Sequence, residues 1–446
     1  MSMSSGLALG GARPAVAGLR AASAAVPVAT PIAHEGEVRA CAVILDAGQR
    51  LCLITCDALI IPPRVLAEVT AAAAAAAGVP PENVLCCATH SHHLPSTLDF
   101  LGCRPDEAWC DAMRDAMIAA ARTAGEAVGR LGAAADCRAE VLYAETQEAT
   151  VGRNSRILLK DGMVGWYGYH KEDMVRPTGP YDPDIPVLAV RRPDGRMVSL
   201  LFAVNVHNIG ALTPGAHSPG FLGLAAQELE RRHGGVGIFL PGAFGSSHNR
   251  THESSGVPAA EGVHRVVAAV EEGLGQLRPL AVPPLQALRR EFVYSTRIPD
   301  DDREEAAVRA YAEKYLGASA ARHEAVFREE RAALRRHSGE ERRTHLHAFR
   351  LGDVAFVGVP GELFARLGLA IRRRSPFRHT HVLGLVNGEI GYIPDRAAYA
   401  LGGYQLWSGG HSQLPIGTGE ALVNAAVGML NDLWTAGPGE AAGAVR

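Results

Sequence analysis

The chain has 446 residues, is 47% hydrophobic and carries a formal net charge of −3. That content supports a large core, and the length allows one big domain or two to three ordinary ones. Near-balanced charge without a long Lys/Arg run excludes a nucleic-acid footprint and a basic membrane-docking patch, and no stretch reaches the roughly 20 uninterrupted apolar residues of a transmembrane segment.

Residues 1–36 read as an N-terminal segment, partly irregular, which Arg13 and Arg20 make unlike a secretory signal. Strands are expected over Val38–Leu45 and Leu51–Thr55 around the turn Ala47-Gly48-Gln49, then a helix from Pro63 to Ala77 closed by Gly78, then the strand Val84–Ala88. This order fits a βαβ unit. A helix follows over Glu107–Val128. Residues 139–169 read as hairpin structure turning at Lys160-Asp161-Gly162. A second hairpin, Asp184–Arg191 with Met197–Val206, turns at Pro193-Asp194-Gly195. Then come a helix over Pro219–Arg232, the strand Val236–Leu240, a glycine-rich loop to Asn249 and a helix over 258–276. Residues 301–343, dense in Glu, Arg and Ala, read as a helical excursion with a solvated face. Strands Leu346–Arg350 and Val354–Val359, a helix opened by Glu362 and running to Arg374, a strand His381–Val386 and a helix Thr418–Leu433 complete the order, with 437–446 a loose tail. No internal repeat at solenoid spacing is visible. The expected fold class is α/β: mixed sheets flanked by helices in one large catalytic domain over 37–436.

All eight cysteines lie before residue 138 and none forms a CxxC pair, which argues against a cysteine zinc site. Several fall in apolar runs, where cysteine acts as a small hydrophobe. They read as reduced thiols of a cytoplasmic protein, with secretion left open.

The phrase Ala88-Thr89-His90-Ser91-His92 closes an apolar run, and two histidines two apart at a strand end point the same way. One imidazole can then serve a metal and the other a substrate. His207, Glu362 and Tyr392 each stand just past a strand-like segment. Together, His90, His207 and Glu362 offer two neutral nitrogens and a carboxylate, a donor set suited to catalytic zinc with an open position for water. Taken singly, each also fits a plain structural role: a hydrogen-bonded histidine, a carboxylate at a helix start, a packed aromatic.

Six blocks occur in order: ATHSHH (88–93), GPYDPDIPVLAVRRPDGR (179–196), LLFAVNVHNIGAL (200–212), FLPGAFGSSHN (239–249), VPGELFARLG (359–368) and LGLVNGEIGYIPDRAAYALGGYQ (383–405). Together they resemble the catalytic domain of the neutral/alkaline, non-lysosomal ceramidase family. The resemblance implies a Zn²⁺-dependent amidohydrolase of lipid metabolism in which His90, His207, Glu362 and Tyr392 hold the metal. It makes His92 a substrate-contacting catalytic residue, gives Arg153 or Arg156 a substrate contact, and puts Tyr404 at the substrate. The family's GDVSPN-like phrase, with its catalytic serine, reads GAFGSSHN here. His248 falls at the serine position and Ser247 one residue before it, so Ser247 and His248 are both catalytic candidates and either serine or water can be the nucleophile. The immunoglobulin-like domain that follows in ceramidases has no counterpart in these residues, so the expected substrate is a small-molecule or N-acyl compound smaller or more soluble than ceramide. An ester or lactone hydrolase and a non-catalytic ligand-binding member remain the alternatives.

Overall fold

The computed structural model describes residues 18–30, 32–131, 138–249, 258–282 and 285–436. Within them, three runs of chain fold alike. In the first, Arg20–Pro27, Arg39–Ala47 and Gln49–Cys56 form an antiparallel meander. Helix Pro63–Ala77 crosses over, Val84–Ala88 adds in parallel to the third strand, and helix Glu107–Gly129 follows. The second run repeats this with Glu140–Gln147, Asp184–Arg191, Met197–Val204, helix Gly220–His233, strand Val236–Pro241 and helix Ala259–Leu274. The third uses Leu285–Ser295, Glu341–Leu351, Val354–Gly358, helix Ala365–Arg374, strand His379–Leu383 and helix Thr418–Thr435.

Each sheet buries both faces, and strand alternation decides which residue faces what. In the first sheet Ala40, Ala42 and Ile44 pack on the two helices, while Cys41, Val43 and Leu45 face the other sheets. Val187 and Ala189 face helices in the second, and Leu188 and Val190 face inward. In the third, Ala355 and Val357 face helices and Phe356 faces inward. The three inner faces meet in one apolar core. This is the α/β architecture of mixed sheets and flanking helices that the sequence pattern indicates.

The same topology sends the same loops to the same end. Segments after the third and fourth strands leave from the carboxyl ends of the parallel pair, where α/β sheets gather ligands. First and third strands run in one direction, so the link between first and second strands emerges there too. Residues 148–183 and 296–340 occupy that link in the second and third units. The latter carries helices Asp301–Tyr315 and Ala320–Arg335.

Several elements differ from expectation. Arg20–Pro27 pairs along its whole length with Arg39–Ala47, inside the segment read as partly irregular. Glu140–Gln147 joins the main sheet, and the turn at Asp161-Gly162 belongs to a small hairpin, Ile157–Leu159 with Val164–Gly165. The charged excursion is helical only to Arg335, because 341–343 pair with Leu285–Ser295 as strand. Glu362 does not open a helix: it pairs in parallel with Tyr392, and the helix starts at Ala365. The strand near His381 stops at Leu383, because Leu385 and Asn387 turn into left-handed backbone. The tail 437–446 and Cys137 lie outside the described residues. Among described residues no helix is long and apolar enough to cross a membrane. Cys41, Cys52, Cys56, Cys86 and Cys87 are buried free thiols, and burial raises their pKa values, so they are poor nucleophiles.

Corresponding polar residues close two of the units. Asp57, after the first unit's third strand, accepts the Arg39 N–H (2.9 Å) and the Thr89 hydroxyl (3.1 Å). Asn205, after the second unit's third strand, donates to the carbonyls of Asp182 and Asp184 (both 3.2 Å) and accepts the Ala243 N–H (2.9 Å). Each ties the start of the second strand to the loop after the fourth. Burial pushes the Asp57 carboxyl up to about 6, so the folded state holds this proton more tightly than the unfolded chain. That contribution is complete below about pH 4 and is lost as pH rises through 6. Asp57→Asn removes it. The stability of the native protein relative to this variant should therefore fall between pH 4 and 6, by at most roughly 3 kcal/mol, and stay flat above pH 7. Urea unfolding at intervals over this range measures it, and a pH-independent difference would reject the buried proton.

Candidate metal centre

His90 and His92 do not sit on a strand. The strand ends at Ala88, and His90 has φ +57°, in the left-handed region that residues with a Cβ enter at a cost of about 1–3 kcal/mol. The alternation argument therefore fails, and a strained turn, not strand pleat, brings both rings into one hollow. Their centroids lie 4.8 Å apart, and His207 follows at 5.0 Å from His90 and 5.7 Å from His92. One ring nitrogen from each of these three lies within 4.8 Å of the other two. Phe244 floors the hollow, fully buried, with its ring 4.7 Å from His90 and 4.9 Å from His207.

The protons of the inner pair are fixed by backbone. His90 Nδ1 lies 2.8 Å from the Leu59 carbonyl and His207 Nδ1 2.8 Å from the Ser247 carbonyl. A carbonyl only accepts, so each Nδ1 carries the hydrogen. In the neutral ring Nε2 then presents a lone pair. Both Nε2 atoms point at one carboxylate oxygen, Glu362 Oε2, at 3.7 Å from His90 and 3.1 Å from His207. His207 Nε2 and Glu362 Oε2 are both buried and make no hydrogen bond. Burial lowers His90 to about 4, so it is neutral near pH 7. Burial pushes the Glu362 carboxyl up, yet its interactions with His90 and His207 and a hydrogen bond from Tyr392 hold it below its usual range. The spacing of these three atoms suits a metal ion: ligands about 2.0–2.2 Å from zinc lie roughly 3.3–3.6 Å apart in a tetrahedron. Imidazoles whose far nitrogens bond to carbonyls are the usual second contact of metal-bound histidine.

The other candidates ring this pair. The Tyr392 hydroxyl bonds to the Glu362 side chain, and burial with the adjacent carboxylate pushes the phenol well up. Tyr404 packs edge-on to Tyr392 and stacks on Trp166 at 4.4 Å and on His411 at 5.1 Å. His92 shows one edge to solvent; desolvation in the hollow and the rings of His90, His207 and His248 keep its pKa low. His248 lies against His207, centroids 4.1 Å apart, and pairs across a short antiparallel ladder with Arg153. Arg156 goes elsewhere. It is buried, donates to Gln405 (2.9 Å) and the Gly402 carbonyl (2.6 Å), and lies over the Phe364 ring. Ser247 gives its carbonyl to His207, and its hydroxyl is buried without a hydrogen-bond partner. Sequence reasoning passed over Phe244 and the buried carboxyl Glu389, although GAFG and NGEIGY held their positions, and over His411, which lies past the last block. The Leu59 carbonyl left no side-chain signal.

No family model matches the sequence, and no curated protein matches it. Solved structures do share its fold. Neutral ceramidase from Pseudomonas aeruginosa aligns with 96% of this chain and 76% of its own at 20% identity and a TM-score of 0.66. A ceramidase complexed with C2 aligns with 96% of this chain and 77% of its own at 18% identity and a TM-score of 0.68.

The hollow depends on its apolar floor. Phe244→Ala should cost about 3–5 kcal/mol in urea unfolding, whereas Trp434→Ala, half exposed at the carboxyl-terminal helix, should cost under about 1 kcal/mol. Equal losses would deny Phe244 this role.

Proposed function

We propose that this chain, which has the fold of neutral ceramidase, is a zinc-dependent amidohydrolase acting on an N-acyl substrate smaller or more soluble than ceramide. The observation that carries the reading is the convergence of two carbonyl-oriented imidazoles on one buried carboxylate. His90, His207 and Glu362 would hold the ion, with Tyr392, already bonded to Glu362, as the fourth group. Zinc there supplies acidity to a water molecule and Lewis-acid pull on the scissile carbonyl.

The chain's own residues do the rest. Phe244 and the buried walls keep bulk water from the Nε2 lone pairs. His92, neutral and reaching solvent, hydrogen-bonds the substrate carbonyl side and exchanges a proton at its exposed edge. His248, beside His207, is positioned to protonate the leaving amine. Arg153, its cross-strand neighbour, is the substrate-contacting arginine, since Arg156 is committed to Gln405 and Gly402. The stacked Trp166 and Tyr404 form an aromatic wall for the acyl or amine portion. Ser247 Oγ is buried and its carbonyl serves His207, which favours water over serine as the attacking group.

Purified protein should contain about one zinc per chain and hydrolyse short N-acyl amides, with both properties lost in His90→Ala and Glu362→Ala. Ser247→Ala should keep at least a tenth of the turnover. Full zinc occupancy in both ligand variants would overturn the site. Faster turnover of matched esters would move the assignment to an esterase, and zinc-loaded protein inert on every activated substrate would make it a binding protein.

A further inference from the structure

The left-handed turn at His90 needs something to hold it. Thr89 and Ser91, on either side, donate their backbone N–H groups to Cys56 O (2.9 Å) and Ala58 O (3.2 Å), both within the first unit. Those bonds fix the turn on its own sheet but do not fix its distance to His207, which belongs to the second unit. Asn208, the residue after His207, spans that gap. Its Nδ2 donates to the Thr89 carbonyl (3.2 Å) and to the Pro219 carbonyl (2.8 Å), and its Oδ1 accepts the Leu222 N–H (3.0 Å). Asn208 is completely buried, and its backbone bridges to Ser91.

The partners leave one orientation for this amide: two carbonyls demand its N–H groups and one N–H demands its oxygen. Aspartate has the same shape and would set an oxygen against two carbonyls. The fold also leaves room only for this group. Gly220 has φ +75°, and a Cβ there would stand 2.2 Å from Asn208 Oδ1.

We propose that Asn208 is a positioning residue. By tying the peptide before His90 to the peptide after His207 and to the start of helix Gly220–His233, it sets the spacing of the two Nε2 atoms and so the affinity for the ion, touching neither ion nor substrate. This rests on the metal reading above. Outer partners of metal ligands commonly set affinity by about 10–100-fold.

The test is the zinc dissociation constant of the full chain, measured by competition with a chromophoric chelator, beside thermal unfolding of the metal-free protein. Asn208→Ala should weaken zinc at least about tenfold. Asn83→Ala is the control: Asn83 is also buried and donates to a carbonyl, Arg50 O at 3.1 Å, but at the opposite end of the His90 strand. It should lower the unfolding temperature and leave zinc affinity within about threefold. If Asn208→Ala does not fold, Gly220→Ala, which crowds the amide without removing it, should weaken zinc by more than about threefold. A folded Asn208→Ala, or failing that Gly220→Ala, that binds zinc within threefold of the native chain overturns the proposal while the metal site stands. A native chain that takes up no zinc overturns both.

Discussion

Two backbone carbonyls, Leu59 O and Ser247 O, govern the site. Each removes one choice from a histidine. With Nδ1 committed as donor, His90 and His207 turn Nε2 inward, and both Nε2 atoms face the same Glu362 oxygen. Three electron-rich atoms face one another in a buried hollow. The charge logic of the centre is thus written by main chain, which mutation of a side chain cannot delete.

The residues of the site come from the loops after the third and fourth strands of the three units. Leu59 follows a third strand, as do His207 and Glu362 in their own units. His90, Phe244, Ser247 and Tyr392 all follow fourth strands. Three sheets that bury their inner faces together must also bring those strand ends together. Packing of Val43, Leu188 and Phe356 in the shared interior is in this sense the cause of a histidine from the first unit meeting one from the second and a carboxylate from the third. The small polar ties, Asp57 and Asn205 within units and Asn208 between them, then set the spacing that hydrophobic packing leaves loose.

Much of this was legible in the residues. Apolar alternation and turn chemistry marked most strands and helices, and the ordered blocks singled out His90, His207 and Glu362, whose side chains the fold gathers with both Nε2 atoms 3.1–3.7 Å from one Glu362 oxygen. The threefold repeat was not legible. The links between first and second strands differ too much in length for a period to register, and the units share a burial pattern, not residues. Backbone conformation was hidden as well. His90 lies in left-handed backbone and Glu362 in a two-residue pairing with Tyr392, states that depend on tertiary bonds and that local propensity argues against. The burial of Arg156 against Gln405 and Gly402, some 250 residues away in the chain, was hidden too.

The two long links, 148–183 and 296–340, enter from one and the same position in their units, whereas the first unit spans it with residues 28–38 alone. Neither link supplies a strand to the three-sheet interior, yet both supply rings, Trp166 and Phe327, around Tyr404. Scaffold and rim are thus built from different stretches of chain: strand ends position His90, His207 and Glu362, while the two long links carry the aromatic rings that border the hollow, and the first of them also braces the segment at Ser247 that orients His207.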